Sequence, residues 1–166
     1  FGYPNYGVAL LLKEEATGKI FLQRVKITGS NAKPRILEIF KDEVIGLPGI
    51  PTVSALPLNG PEYMFFAVDK NVYCLDLNNI TKPVTLYKSF DANVVAMNAE
   101  SETYSCAHMA VGLENGEFYI LMIYGAKNLS EEEKVIYPKH GAAYPAEERM
   151  GRIVDIKYKQ LDHWNY

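Results

Sequence analysis

The sequence has no basic excess. Seventeen lysines and arginines stand against twenty aspartates and glutamates, a formal net charge of −3. Nucleic-acid binding draws much of its affinity from clustered positive charge, so no nucleic-acid partner is expected. No apolar run approaches the roughly 18 residues that a membrane-spanning helix needs. Cysteine is scarce: Cys74 and Cys106 lie in apolar, strand-like segments, and there is no Cys-x-x-Cys pair. Buried free thiols are the expectation, with a Cys74–Cys106 bridge as the alternative. Helical signals are few. Ser130-Glu-Glu-Glu133 has a capping-box shape, and Ala143–Met150 has room for one turn.

The motifs of common chemistries are missing as well. His108, His140 and His163 are far apart, with no His-x-His or His-x₃-His to seed a metal site. No Asp-x-Asp-x-Asp-Gly loop offers calcium its oxygens. Gly-x-Ser-x-Gly, Gly-x-Gly-x-x-Gly and Walker loops are all absent. Cys106 and His108 sit two apart on one strand face, which does not aim a thiol at a base. No catalytic residue, metal ligand or cofactor is therefore assigned. Carboxylate pairs are harder to dismiss, because any two acids converge if the fold brings them together. The runs Glu131–Glu133 and Glu147-Glu148 read as solvated faces.

What is present is strand material. Hydrophobic residues make up 48 % of the chain and aromatics 12 %, with twelve Tyr and seven Phe, a composition suited to β-sheets. Three segments read as hairpins. They are Gly7–Lys13 with Lys19–Val25, Tyr63–Val68 with Val72–Leu77, and Cys106–Leu113 with Glu117–Ile123. Their turns are Glu14–Gly18, Asp69–Asn71 and Glu114-Asn-Gly116. Asn115-Gly116 is the strongest cue, since both residues tolerate the positive φ of a primed turn. A third arm follows each hairpin: Arg35–Phe40, Val84–Tyr87 and Lys134–Tyr137. A short strand precedes two of them, Val53–Leu58 and Val94–Asn98, and a third such strand, Ile153–Tyr158, comes last.

In letters the order is B-C-D, A-B-C-D, A-B-C-D, A, with a period of about 40 to 60 residues, as in propeller blades. The fold expected is all-β, a partial β-propeller-like array of four-stranded antiparallel blades with about three blades seen. The blade pieces are about 7–40, 53–87 and 94–137, with a final strand at 153–158. A blade needs a neighbour on each face, and a ring of roughly four to eight blades supplies them. The chain starts Phe1-Gly2-Tyr3-Pro4 without an initiator Met. It therefore reads as the C-terminal part of a larger chain, the orphan strand pairing with a blade upstream; a ring built from two chains is the alternative.

Three stretches carry a family resemblance: Tyr63–Leu77, Ala110–Leu121 and the terminal Gly151-Arg-Ile-Val-Asp-Ile-Lys-Tyr-Lys159. They resemble the C-terminal propeller-like region of the PKD-like family of surface lipoproteins from Bacteroides-type gut bacteria. Members end close to a Gly-[Lys/Arg]-Ile-Val-Asp strand. The resemblance covers the chain from about Ser54 onward. It implies an exported protein of a Gram-negative cell surface or periplasm, held to the membrane only by a lipid anchor outside this segment. It also implies a role in polymer or glycan capture, and it brings no catalytic residues.

The candidate binding residues are aromatic loops outside the strand cores. Tyr124, Tyr137, His140, Tyr144 and Trp164 combine rings with polar neighbours, which suits stacking on sugar faces or docking a protein loop. The competing reading packs these rings between sheets. The function expected is a non-enzymatic binding module for a glycan or a surface protein. Two alternatives stand beside it: a propeller-type glycoside hydrolase or lyase sharing its site with missing blades, and a structural platform in a surface complex.

Overall fold

A computed structural model describes residues 6–30, 33–57, 62–103, 106–124, 141–143 and 152–156. Among these residues there is no helix; eleven strands form three antiparallel sheets, none of them closed. The chain divides into two compact units, Phe1–Ile50 with Asn79–Val84, and Pro51–Asn78 with Thr85–Tyr166.

The first unit is a three-stranded meander of β1 (Tyr6–Lys13), β2 (Ile20–Ser30) and β3 (Lys33–Glu43), in that order. The expected arms are present, and β2 runs beyond Val25 to Ser30. The first hairpin closes where the Gly18 N–H donates to the Glu14 carbonyl (2.8 Å) and the Glu14 N–H to the Lys19 carbonyl (2.9 Å). Gly18 takes φ +70°, in the left-handed region that favours glycine. Pro34 is tolerated because β3 is an edge strand. Alternation sorts most of the aliphatic side chains. Ile20, Leu22 and Val44 share a buried face, whereas Leu10, Leu12 and Ile39 share the opposite one and are 43, 37 and 58 % exposed. Two ion pairs brace β2 and β3: Lys19 with Glu43 at 2.8 Å and Arg24 with Asp42 at 2.9 Å. Their side chains are a third or more exposed, so each adds little stability.

The second unit holds two four-stranded meanders. One is β4 (Val53–Ala55), β5 (Tyr63–Val68), β6 (Asn71–Asp76) and β7 (Thr85–Ser89); the other is β8 (Val94–Thr103), β9 (Cys106–Leu113), β10 (Phe118–Tyr124) and β11 (Gly141–Ala143). Strand order follows chain order in both, as the A-B-C-D pattern anticipates. A single core lies between them. It joins Phe65, Ala67, Val72 and Cys74 of the first sheet to Met97, Met109, Val111, Leu113, Leu121 and Ile123 of the second, with Phe90 and Val94 at the crossing. Two ring contacts fix its edges: Phe65 meets Tyr87 edge-on at 5.2 Å, and Phe90 meets Tyr119 at 5.0 Å.

Three expectations need correction. The fourth strand of the last sheet is Gly141–Ala143, paired with Tyr119–Leu121, where Lys134–Tyr137 was expected; residues 134–137 lie outside the described residues. Arg152–Ile156 is irregular and pairs with no strand among the described residues, although its alternating pattern reads as a strand. A strand needs a neighbouring ladder to satisfy its backbone, and no ladder pairs with this segment among the described residues. The Glu114–Gly116 turn is not a two-residue primed turn. Only Gly116 has positive φ (+89°); its N–H donates to the Leu113 carbonyl (3.1 Å), and the Leu113 N–H donates to the Glu117 carbonyl (2.8 Å). This is a three-residue loop ending in a bulged glycine. The two expected helical turns, at 130–133 and 143–150, lie outside the described residues apart from Ala143, which ends β11.

Candidate functional site

In the second unit three connections, the β5–β6 turn, the β7–β8 link and the β9–β10 turn, gather at one end of the two sheets. The link from β7 to β8 crosses the β5–β6 turn, where the Phe90 N–H donates to the Lys70 carbonyl (2.9 Å) and the Val94 N–H to the Asp69 carbonyl (2.8 Å). Asp69 holds φ +52°, a conformation its short polar side chain tolerates. The same link reaches the β9–β10 turn. There the Glu114 N–H donates to the Asn93 carbonyl (2.9 Å), and the Asn93 amide donates to the Glu114 carboxylate (3.1 Å).

Short polar side chains line this rim. Ser89 Oγ donates to Asn71 Oδ1 at 2.7 Å, and Asn115 Nδ2 donates to Glu117 Oε2 at 3.1 Å. The rim therefore presents a pre-ordered row of amides, hydroxyls and carboxylates. Such groups exchange hydrogen bonds with a polar ligand. Asp69–Asn71 and Glu114–Gly116 read as turns in the sequence, but that the β7–β8 link bonds to both is not legible there. The signal was there in the Asn and Asp content of three loops, but their convergence is a tertiary fact.

The residues expected to bind ligand are not brought together on the described part of the chain. Tyr124 ends β10, its backbone opposite Cys106. Tyr137, His140, Tyr144 and Trp164 lie outside the described residues. Among the described residues no group of three or more His, Cys, Asp or Glu stands close enough to hold a metal ion. The first unit carries an open cleft of about 410 Å³ beside Lys13, Lys19, Glu43 and the Gly46–Gly49 loop. Its Lys19 ammonium is tied to Glu43, whose hydrogen bond and charge raise the Lys19 pKa.

Cys74 is a free, buried thiol, so no Cys74–Cys106 bridge forms. Burial, and then the Asp76 charge, push its pKa well above the ordinary 9.0. Burial raises the Tyr87 phenol likewise from 10.0, with Cys74 beside it. Both groups are held neutral in the fold, whereas the unfolded chain releases their protons at ordinary values. Their contribution is fully present below about pH 9 and declines as pH rises past it. Stability should fall by up to about 1.4 kcal/mol per pH unit for each group. Urea titrations from pH 8 to 11 should show this fall, and Cys74→Ala should make it shallower; an unchanged slope would remove Cys74 as its source.

Comparison with known families finds no matching model, and no curated protein matches the chain.

Proposed function

We propose that this chain is part of a β-propeller and serves as a non-enzymatic binding module of an exported bacterial lipoprotein. Its ligand class is a glycan or a surface protein, held at the loop ends of the sheets. The observation that carries the reading is the rim. Two sequential four-stranded meanders share one core and turn the Asp69, Asn93 and Glu114 loops to one end. Propellers present their ligand-contacting loops from the ends of their sheets. The resemblance to the PKD-like lipoproteins supports surface exposure and polymer capture. The scarcity of activated groups along the rim supports binding over catalysis.

Aromatic side chains supply stacking surfaces for sugar rings. Screening the chain against a panel of purified polysaccharides, and titrating any that bind, tests the reading. Tyr144→Ala or Trp164→Ala should weaken binding by about 1–3 kcal/mol each while leaving the urea midpoint unchanged. Unaltered affinity in the double variant would remove the aromatic loops from the site. Binding to no polysaccharide and to no surface protein would end the proposal.

A further inference from the structure

The β9–β10 loop places side by side the groups through which an asparagine loses its own amide. Asn115 precedes Gly116, and a glycine, lacking Cβ, lets its backbone nitrogen come close to the side chain before it. Asn115 is exposed, so its carboxamide meets solvent, whereas Gly116 is buried. The reaction needs three atoms released: the Gly116 nitrogen as nucleophile, Asn115 Cγ as the carbon attacked, and Nδ2 as the leaving group.

The closed loop ties down each of them. The Gly116 N–H donates to the Leu113 carbonyl at 3.1 Å. Asn115 Oδ1, carried on Cγ, accepts the Glu117 N–H at 3.1 Å, and Nδ2 donates to Glu117 Oε2 at 3.1 Å. The loop itself is shut by the Leu113 N–H on the Glu117 carbonyl (2.8 Å). It is also tied to the β7–β8 link, through the Glu114 N–H on the Asn93 carbonyl and the Asn93 amide on the Glu114 carboxylate. Opening the loop releases all three reacting atoms together. Exposed loops open at a lower free-energy cost than core strands.

We propose that Asn115 is a self-modification site, converted to aspartate or isoaspartate at a rate gated by opening of the β9–β10 loop. In the open loop the Gly116 nitrogen gives its proton to solvent base and bonds to Asn115 Cγ. The Cγ–Nδ2 bond breaks, and Nδ2 leaves as ammonia with a proton from water. Water then adds to one of the two carbonyls of the five-membered imide. Addition at Cγ breaks the new bond and leaves aspartate. Addition at the main-chain carbon breaks the original peptide bond and leaves isoaspartate, with the chain running through the side chain. Nothing is oxidised or reduced.

Neither product refits the loop. Aspartate sets a carboxylate oxygen where Nδ2 donates to Glu117 Oε2, so two like charges replace a hydrogen bond. Isoaspartate adds a methylene to the main chain of a three-residue loop and works against the Leu113–Glu117 closure. The rim loses an amide donor either way.

Incubating the full chain at mildly alkaline pH, folded and in urea, with peptide mapping by mass spectrometry, tests this. In urea, residue 115 should gain about one dalton, ammonia out and water in, as should Asn59, which also precedes a glycine. In the folded chain, residue 115 should convert about 10-fold or more slowly, because each hydrogen bond to be opened counts for a few-fold. Asn93→Ala removes a tie on the loop and none of the reacting atoms. It should speed the folded conversion by about 2- to 10-fold and leave the rate in urea unchanged. Equal rates folded and in urea overturn the gating, as does an unchanged folded rate in Asn93→Ala. No conversion of residue 115 in urea overturns the site itself.

Discussion

Phe65→Ala should lower the free energy of unfolding by about 3–5 kcal/mol, the largest single-residue effect expected in this chain. Phe65 has no exposed surface, belongs to the core shared by the two four-stranded sheets, and meets Tyr87 edge-on at 5.2 Å. Truncation removes the ring's transfer free energy and leaves a cavity that the surrounding strands fill only in part. The ladders on both sides of β5 limit how far they move. It also deprives Tyr87 of its ring partner, worth about 0.5–1.5 kcal/mol beyond area. Urea denaturation should show a lower midpoint with an unchanged slope. Phe40, a ring of the same size but 46 % exposed, is the control: its alanine variant should fall within about 0.5 kcal/mol of the parent, apart from the loss of Arg24 stacking at 5.5 Å. Equal losses at the two positions would contradict the placement of the core.

Gly112→Ala should cost about 1–3 kcal/mol, and Ile153→Ala in the same chain should recover most of it. The expected loss is steric and has one source. An added Cβ would lie 2.7 Å from Ile153 Cγ2 and 3.3 Å from its Cδ1, closer than real Cβ contacts come. Gly112 lies in the β9 ladder with no positive φ, so alanine strains no backbone there. Overpacking therefore acts first through Ile153. A double-mutant cycle isolates that coupling, since the two single losses should not add. Simple additivity would mean that Ile153 does not rest on this strand.

The sheets were legible in the sequence for a physical reason. Hairpin arms such as Tyr63–Val68 and Val72–Leu77 join β-rich residues across short Asp- or Asn-containing turns, and both signals are local. The three-sheet count and the sequential strand order followed from counting such arms. Strand ends were less legible: β8 reaches Thr103 rather than Asn98, and β4 stops at Ala55 before Pro57. Local propensity does not say how far a neighbour's ladder extends. The Arg152–Ile156 segment shows the limit most plainly, because its residues favour a strand and no ladder among the described residues pairs with it. The same holds for the Asn115-Gly116 pair, where the dipeptide marks the turn but the ladder's register selects the bulged form.

The site was less legible than the fold. Asp69, Asn93 and Glu114 look like ordinary turn residues, and only the packing of β4 against β8 brings their loops into one rim. The aromatic residues drew attention because ring chemistry is visible in one letter, whereas a row of hydrogen-bonded amides is visible only after folding.

If the two four-stranded sheets of the second unit are successive blades, as proposed, their first strands lie side by side about one axis. A crystal structure of the chain tests this most directly. It should show β4 and β8 side by side along the inner edge, with Ile153 seated on Gly112 and the rim loops at one end. Two sheets stacked as a sandwich, with β4 and β8 on opposite edges, would contradict it.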